Sequence, residues 1–260
     1  MDETNSSIPS FLIYFFMNYK KIIYESKSWS DLDKKLSKLT HNNKSDEAGA
    51  IFALVVKLFL QTNSIYKTKI SKVWLEKEVP IKIRNKINFP GTDEGIDLIA
   101  ETKEKKIWSI QAKYRSNPNE MLRFTGEKSL STFTSLSFFT CNNISHGLVC
   151  ATINKPPKKI HLLPTKKNKS VGFILRDVWE SLDDNKKEEW NIIRKKAKGL
   201  IIQPSKKNEK DFQKKVVNKT VSYFKKKNKG KLIMPCGTGK SLMSFWIAKK
   251  MNAKKIIIAV

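Results

Sequence analysis

The chain has 260 residues, enough for one sizeable hydrophobic core and part of a second. Its formal net charge of +27 at pH 7 favours a polyanionic partner, and nucleic acid is the usual one. Only five of the 51 basic residues are arginines, so an AT-rich genome that fills solvated positions with lysine is an alternative source of the charge.

Cysteine and histidine usage excludes several classes of protein. The three cysteines form no CxxC pair, which argues against a disulfide framework or a zinc site and favours a reducing, cytoplasmic location. The three histidines are scattered, which argues against a histidine–metal nuclease. The apolar run from Phe11 to Met17 is shorter than the ~20 residues that span a bilayer, so we expect no membrane partner.

Helical periodicity dominates the first sixty residues. Residues 1–44 are predicted to form an auxiliary helical segment whose second helix starts near Trp29, with Ser30 as its N-cap. The next helix is predicted from about residue 45 to Leu60, with Glu47 at the outer end of its core-facing stripe. Glu47 could reach a metal on the sheet, or it could simply be favoured by the positive end of the helix dipole.

A β-hairpin is predicted at the centre of the chain. An edge strand from Val73 to Pro80 precedes it, and its own strands run from Ile96 to Ala100 and from Ile107 to Lys113. Because side chains alternate along a strand, Ser109, Gln111 and Lys113 share one face.

Asp97, at the start of the first hairpin strand, can converge with Gln111 and Lys113 on one point. Such a group could hold a divalent cation through oxygen ligands and place an ammonium beside a phosphate. The alternative is an ordinary amphipathic hairpin with a charged tip. Gly91 and Gly95 enclose the preceding acidic loop as if its backbone must approach something closely.

The region after the hairpin is predicted to complete the sheet. A helix is expected from Lys128 to Ser137 and a buried strand from Gly147 to Ile153. Strands and then a helix from Val178 to Ala197 follow, as an exit from the domain. The candidate DNA contacts are the basic residues near the strand ends, namely Arg115, Lys155, Lys158 and Lys159.

A phosphate-binding loop is predicted near the end of the chain. Leu232 to Met234 reads as a strand, Lys240 to about Met251 as a helix, and 256–260 as another strand. The backbone of the intervening loop would hold the phosphates of ATP, with Lys240 on the terminal ones and Ser241 on magnesium. The predicted ATP-binding residues are Gly237, Thr238, Gly239, Lys240 and Ser241, with Gln213 as a candidate adenine contact.

The hairpin residues resemble the Mrr-like branch of the PD-(D/E)xK nuclease superfamily, written D...QxK. The resemblance makes Asp97, the Gln111 side chain and the Ala112 carbonyl ligands of Mg2+, and Lys113 the group that orients or activates the attacking water. Gln111 stands where an acid is usual, so a second carboxylate is wanted. The candidates are Asp93 in the acidic loop and Glu47, since Mrr-like nucleases carry a Glu on their first helix.

MPCGTGKS resembles motif I of superfamily 2 helicases, and the order of motifs resembles the N-terminal part of Type ISP restriction–modification enzymes. The implied fold is α/β, a restriction-endonuclease-like mixed central sheet flanked by helices, followed by the truncated start of a RecA-like P-loop domain. The expected domains are a helical segment (1–44), a nuclease (45–165), an exit and linker (166–205) and the helicase part (206–260).

The resemblance implies a Mg2+-dependent endonuclease that acts on double-stranded DNA and is driven by an ATP-dependent translocase. Later motor, methyltransferase and target-recognition domains are expected in a longer chain, and the 260-residue piece should at most bind nucleotide weakly. Two alternatives stay open. One is a nucleic-acid-dependent ATPase whose nuclease-like fold only binds DNA or a partner. The other is a modification-sensing Mrr-type nuclease.

Overall fold

The computed structural model describes residues 10–90, 95–123, 130–156, 169–201, 209–234 and 240–255, with side chains from residue 17 onward except that of Asn185. The chain divides into two compact units, residues 1–202 and 203–260. Each unit is described by itself.

The first unit is a mixed α/β structure. Its elements in chain order are α1 (Ser10–Glu25), α2 (Trp29–His41), α3 (Ser45–Thr62), α4 (Ser64–Lys69), β1 (Ile70–Leu75), α5 (Ile81–Ile87), β2 (Leu98–Thr102), β3 (Ile107–Lys113), α6 (Ser131–Ser135), β4 (Ile144–Ala151), β5 (Ser170–Ile174), α7 (Arg176–Glu180) and α8 (Glu188–Ala197).

Five strands form one sheet in the order β1-β2-β3-β4-β5. The pairs β1–β2 and β2–β3 are antiparallel, whereas β3–β4 and β4–β5 are parallel. The predicted hairpin is therefore present as β2 and β3, although β2 covers Leu98–Thr102 rather than Ile96–Ala100. The predicted edge strand is present as β1, which starts at Ile70 and ends at Leu75 rather than at Pro80. This mixed sheet flanked by helices confirms the predicted fold of the nuclease part.

One face of the sheet is covered by α3 and a cluster of aromatic side chains. Almost every residue of α3 from Ala48 to Leu60 is buried, because the helix packs on β1 and β3 on one side and on other helices elsewhere. Trp29 of α2 and Trp190 of α8 are fully buried in the same core as the sheet. The segments 1–44 and 166–205 thus both contribute to the core of the first unit.

The other face of the sheet is covered by α5, α6 and a π-helical turn at Leu136–Thr140. Ile99, Ile107 and Val149 point to this face, and Phe133 of α6 is fully buried against them. Side-chain alternation places Gln111 and Lys113 on this same face of β3.

Several local predictions were wrong. Ser28, not Ser30, is the N-cap of α2, because its hydroxyl accepts the Asp31 N–H at 3.0 Å while Ser30 bonds Asp183. The helix expected from Val178 to Ala197 is split into α7 and α8, since Lys186 and Lys187 adopt positive φ between them. The helix expected from Lys128 to Ser137 is present as α6 followed by the π turn and extends to Thr140, whereas Lys128 lies outside the described residues.

The second unit contains α9 (Asp211–Phe224) and α10 (Lys240–Lys250), and α10 has the predicted start. Val217 and Met243 are fully buried between them, with Trp246 and Ile247 nearly so. Residues 231–234 have no strand structure, contrary to the prediction, and the predicted strand at 256–260 lies outside the described residues. None of the helices in the described ranges is both long and apolar enough to cross a bilayer.

Candidate active site at the end of the hairpin

Four strands present their ends at one end of the sheet. Leu75, at the end of β1, pairs with Leu98 at the start of β2, and Leu98 pairs with Ile110 near the end of β3. Ala112 in turn pairs with Cys150 near the end of β4. Asp97 immediately precedes β2 and therefore lies at this end.

Asp97 is held there by bonds from both its backbone and its side chain. Its N–H donates to the Ile110 carbonyl at 3.0 Å, and its carbonyl accepts the Glu76 N–H at 2.8 Å. Its Oδ2 atom accepts the Ala112 N–H at 2.6 Å and also the side-chain amide of Gln111. Beyond the end of β2, the Asp97 carboxylate thus accepts the Ala112 N–H in place of a backbone carbonyl of the neighbouring strand.

The structure brings Asp97 and Gln111 into direct contact, on the side of β3 where alternation also directs Lys113. Gln111 is only 3% exposed, and Lys113 is half-buried. Trp108, Ile110 and Ala112 pack on the opposite face with α3, as the alternation predicts.

Gly95 is required by the backbone that leads into Asp97. Its φ is +95°, and a Cβ there would lie 3.2 Å from both the Phe133 nitrogen and the Thr132 Cβ. The close approach expected of this loop is therefore made to α6 of the same chain. Gly91 lies outside the described residues.

Oxygen donors of the kind that Mg2+ prefers are concentrated at this point. They are the Asp97 carboxylate, the Gln111 amide oxygen and the Ala112 carbonyl, which points to the same side of β3 as the Ala112 N–H. Gln111 turns its amide nitrogen toward Asp97, and rotation of the amide would present its oxygen at the same place. The residues present therefore fit a hard cation by donor chemistry.

The second carboxylate is not brought to Asp97 by any contact among the described residues. Glu47 lies in the first turn of α3, with its side chain 31% exposed and 3.8 Å from the Lys44 ammonium. Phe52, five residues later, packs on Tyr114 with ring centroids 6.0 Å apart, so the start of α3 lies beside the end of β3. Asp93 lies outside the described residues.

Among the residues that the structure describes, no group of three or more His, Cys, Asp or Glu side chains is placed to hold a metal ion.

A polar network supports the end of β3, and the sequence alone did not indicate it. Tyr114 donates its hydroxyl to Asp33 Oδ1 at 2.8 Å, and Arg176 donates to Asp33 Oδ2 at 3.0 Å. The Thr152 hydroxyl donates to the Arg115 carbonyl and accepts the Arg115 N–H. The network therefore joins α2, α7 and the residue after β4 to Tyr114 and Arg115, the two residues that follow Lys113. Its hydrogen bonds join residues that are 37 to 143 positions apart in sequence, so no local spacing could have revealed it.

Burial and charge shift two pKa values near this point. Burial, and then the negative charge of Asp97, raise the pKa of the Cys150 thiol well above its ordinary value. Burial, and then the Asp33 carboxylate, raise the pKa of the Tyr114 hydroxyl. Both groups therefore stay neutral over the physiological range.

Arg115 and Lys155, the predicted DNA-contacting residues that the structure describes, differ in their exposure. Arg115 is largely buried, forms an ion pair with Glu120 at 2.8 Å and donates to the Tyr114 carbonyl. Lys155 is exposed. Lys158 and Lys159 lie outside the described residues.

A family model of restriction endonucleases, Mrr_cat_2, matches residues 61–198, more than half of the chain. The chain belongs to this restriction endonuclease family. The matched range contains Asp97, Gln111 and Lys113, and it begins after Glu47.

The second unit of this restriction endonuclease places two of the predicted ATP-binding residues at the start of α10. Lys240 and Ser241 are its first two residues, both exposed, and the Lys240 ammonium lies 3.3 Å from the Met234 carbonyl. Gln213 is buried rather than exposed, and its side-chain oxygen accepts the Lys210 N–H at 2.9 Å at the start of α9. Gly237, Thr238 and Gly239 lie outside the described residues.

A second family model, described as Type III restriction enzyme, res subunit, matches residues 206–260. Among solved structures, the ATP-dependent Type ISP restriction-modification enzyme LlaBIII bound to DNA matches with a TM-score of 0.56 and 22% identity. The match covers 89% of this chain but 13% of that one, so the chain spans a small part of that enzyme. At this identity the likeness shows the fold alone. No curated protein matches the chain.

These matches confirm the predicted resemblance to an Mrr-type restriction endonuclease followed by helicase sequence, with the fold of a Type ISP enzyme.

Proposed function

We propose that the first unit is a Mg2+-dependent endonuclease that hydrolyses phosphodiester bonds of double-stranded DNA. The observation that supports this most is the contact of the Asp97 carboxylate with both the Gln111 amide and the Ala112 backbone. It gathers three kinds of oxygen donor at the end of two adjacent strands, beside an ammonium on the same face.

Asp97, the Gln111 side chain and the Ala112 carbonyl would hold the cation, with Glu47 or Asp93 as the second carboxylate. When bound, magnesium would stabilise charge on the scissile phosphate and lower the pKa of a water molecule. The Asp97 position is fixed by two backbone bonds and two side-chain contacts, which is the preorganisation that such a site requires.

Lys113 would act on the phosphate itself. Its ammonium projects from the face of β3 that carries Gln111, so it would pair with a phosphate oxygen, orient the attacking water and stabilise negative charge that develops during hydrolysis. Arg115 and the basic loop of Lys155, Lys158 and Lys159 would position the DNA backbone on either side. Because Arg115 already pairs with Glu120, its contribution requires that this ion pair open.

The second unit would bind ATP as the start of a translocase. Lys240 and Ser241 at the N-terminus of α10 fit a phosphate-binding role, since backbone N–H groups and the helix dipole favour anions there. Gln213 would contact adenine only after release of the Lys210 N–H. We propose that the motor continues in a longer chain together with methyltransferase and target-recognition domains, acting in the cytoplasm.

Plasmid nicking by the full-length protein with magnesium and ATP tests the endonuclease. We expect Asp97→Asn and Lys113→Ala to abolish nicking, and Lys240→Ala to retain it only if cleavage is independent of the motor. Equal nicking by wild type, Asp97→Asn and Lys113→Ala would remove the nuclease assignment.

A DNA-binding module without cleavage is the second candidate. Two observations favour it. Gln111 has a neutral amide, and the described contact of the Glu47 carboxylate is with Lys44 rather than with Asp97. Titration with Mn2+, monitored by electron paramagnetic resonance, separates the two. The endonuclease requires an ion whose binding is weakened by Asp97→Asn, whereas the binding module requires none.

A further inference from the structure

The first unit has a basic concavity at a distance from Asp97, between the end of α1 and the end of α8. Its volume is about 530 Å³. The residues that line it are Tyr24, Glu25, Asn191, Arg194, Lys195, Lys198 and Leu200. Three of these seven are cations and one is an acid, and Glu25 already lies 3.9 Å from the Lys21 ammonium.

Arg194 is the most informative residue of this surface. Its guanidinium is half-buried and fixed by donation to the Tyr24 carbonyl at 2.9 Å and to Asn191 Oδ1 at 3.3 Å. Three other arginines, at positions 84, 115 and 176, pair with carboxylates. Within the described part of the chain, Arg194 instead bonds only neutral oxygens, so its charge is oriented but not neutralised.

A second basic concavity lies on the other side of α8. It has a volume of about 290 Å³, and Lys196 of α8 lines it together with Lys67 and Lys72. None of the described residues that line it is acidic. Lys195 lines the first concavity and the next residue, Lys196, lines the second, so both concavities border the last turn of α8. We call them together the α8 basic surface.

The helix dipole accounts for only part of this clustering. It places about half a negative charge at the C-terminal end of α8, which one cation offsets. The α8 basic surface gathers six cations, namely Lys67, Lys72, Arg194, Lys195, Lys196 and Lys198, against one acid that is already paired. The excess positive charge is the kind of surface that binds a polyanion.

We propose that the α8 basic surface binds the phosphate backbone of duplex DNA, away from the phosphate that is cleaved. The second concavity is lined by the first residues of β1, whereas Asp97 lies beside its last residue, Leu75. Five residue steps of a strand correspond to about 17 Å. Val73, the lining residue nearest to Leu75, is two steps from it, or about 7 Å. We therefore place the two sites on different phosphates, about two to five base pairs apart at 3.4 Å each.

This inference rests on the proposed function for the identity of the polyanion, but not on cleavage. DNA binding without divalent cations can fail while nicking persists, and nicking can fail while this binding persists. The two failures are therefore distinguishable.

The test compares two triple variants of the 260-residue chain that remove the same charge. One replaces Arg194, Lys195 and Lys198 by Gln. The control replaces Lys82, Lys86 and Lys103 by Gln, which are exposed and lie outside the α8 basic surface. Binding of a labelled 30-base-pair duplex is followed by fluorescence anisotropy in EDTA from 50 to 200 mM KCl.

We expect the first triple to weaken binding at least about ten-fold at 100 mM KCl and to reduce the salt slope by about 2 to 3, because each lost phosphate contact lowers it by about 0.9. The control triple should change the slope by less than 1. Equal effects of the two triples, or no effect of the first, would overturn the proposal.

Two further measurements protect the test. If the triple variant fails to fold, the double replacement of Lys195 and Lys198 by Gln takes its place, because it keeps the Arg194 hydrogen bonds. It should reduce the salt slope by about 2. Inorganic phosphate at 10 mM, at matched ionic strength, should displace no more DNA than chloride does. Strong displacement by phosphate would indicate a site for free phosphate and would contradict a DNA-backbone site.

Discussion

Replacement of Asp97 should show that this carboxylate stabilises the fold as well as serving the reaction. Asp97 accepts the Ala112 N–H and the Gln111 amide, and both donors are almost fully buried. In Asp97→Ala both lose their acceptor. Hydrogen bonds to a charged group contribute about 1.5–3 kcal/mol, and a buried unsatisfied donor costs about 1–3 kcal/mol. Because the Gln111 amide can rotate, we count the full penalty for one donor only. We therefore expect Asp97→Ala to lower the free energy of unfolding by about 2–4 kcal/mol.

Asp97→Asn should cost less than about 1.5 kcal/mol, because its amide oxygen still accepts the Ala112 N–H and its amide nitrogen can donate to a rotated Gln111. A difference of about 2 kcal/mol between the variants corresponds to about 4–8 °C in Tm for a unit of roughly 200 residues. Tryptophan fluorescence is a suitable signal, since five of the six tryptophans lie in the first unit. Equal melting temperatures for Asp97→Ala and Asp97→Asn would refute the assignment of a structural role to the carboxylate.

The remaining predictions concern Tyr114, Gly95 and Cys141. Tyr114→Phe removes the hydrogen bond to Asp33. It should lower the free energy of unfolding, measured in urea, by about 1–3 kcal/mol and should also slow nicking. Tyr66→Phe is the matched control, and equal effects of the two substitutions would contradict a role for the network. Gly95→Ala should lower the Tm by several degrees because its φ is positive and its Cβ would press on Phe133, whereas an unchanged Tm would contradict that geometry.

Burial raises the pKa of the Cys141 thiol to about 11 from 9.0, so the unfolded chain loses this proton first. Stability should therefore be intact below pH 9 and decline between pH 9 and 11, and Cys141→Ala should reduce that decline.

The strands were predictable where one residue pattern determined them. β3 has the predicted bounds, Ile107 to Lys113, because alternation and the charged turn before it agree. The helix at Ile81–Ile87 was not predicted, because Pro80 ends the predicted edge strand, whereas in the structure it occupies the N-cap position and the helix starts at the next residue. The break before α8 carries no Gly or Pro signal, because two lysines adopt the positive φ values.

Tertiary contacts determine the features that the sequence did not reveal. Trp29 and Trp190 are both buried in the core beside the sheet, although the predicted domain boundaries place them in segments outside the nuclease. The same limit applies at the site. Asp97 and Gln111 could be placed together from register alone, whereas the second carboxylate depends on how the start of α3 and the acidic loop approach the strand ends. Arg115 also differs from the simple expectation, because its charge is paired within the protein.

The most direct test of the proposed site is the rate of plasmid nicking by full-length wild type and by Asp97→Asn, in magnesium and ATP. Asp97→Asn keeps the Ala112 bond but loses the negative charge, so folding and chemistry are separated in one substitution. We predict that the rate falls about 100-fold or more while the Tm falls by only a few degrees. An unchanged rate would contradict the assignment of Asp97 to the cleavage of DNA.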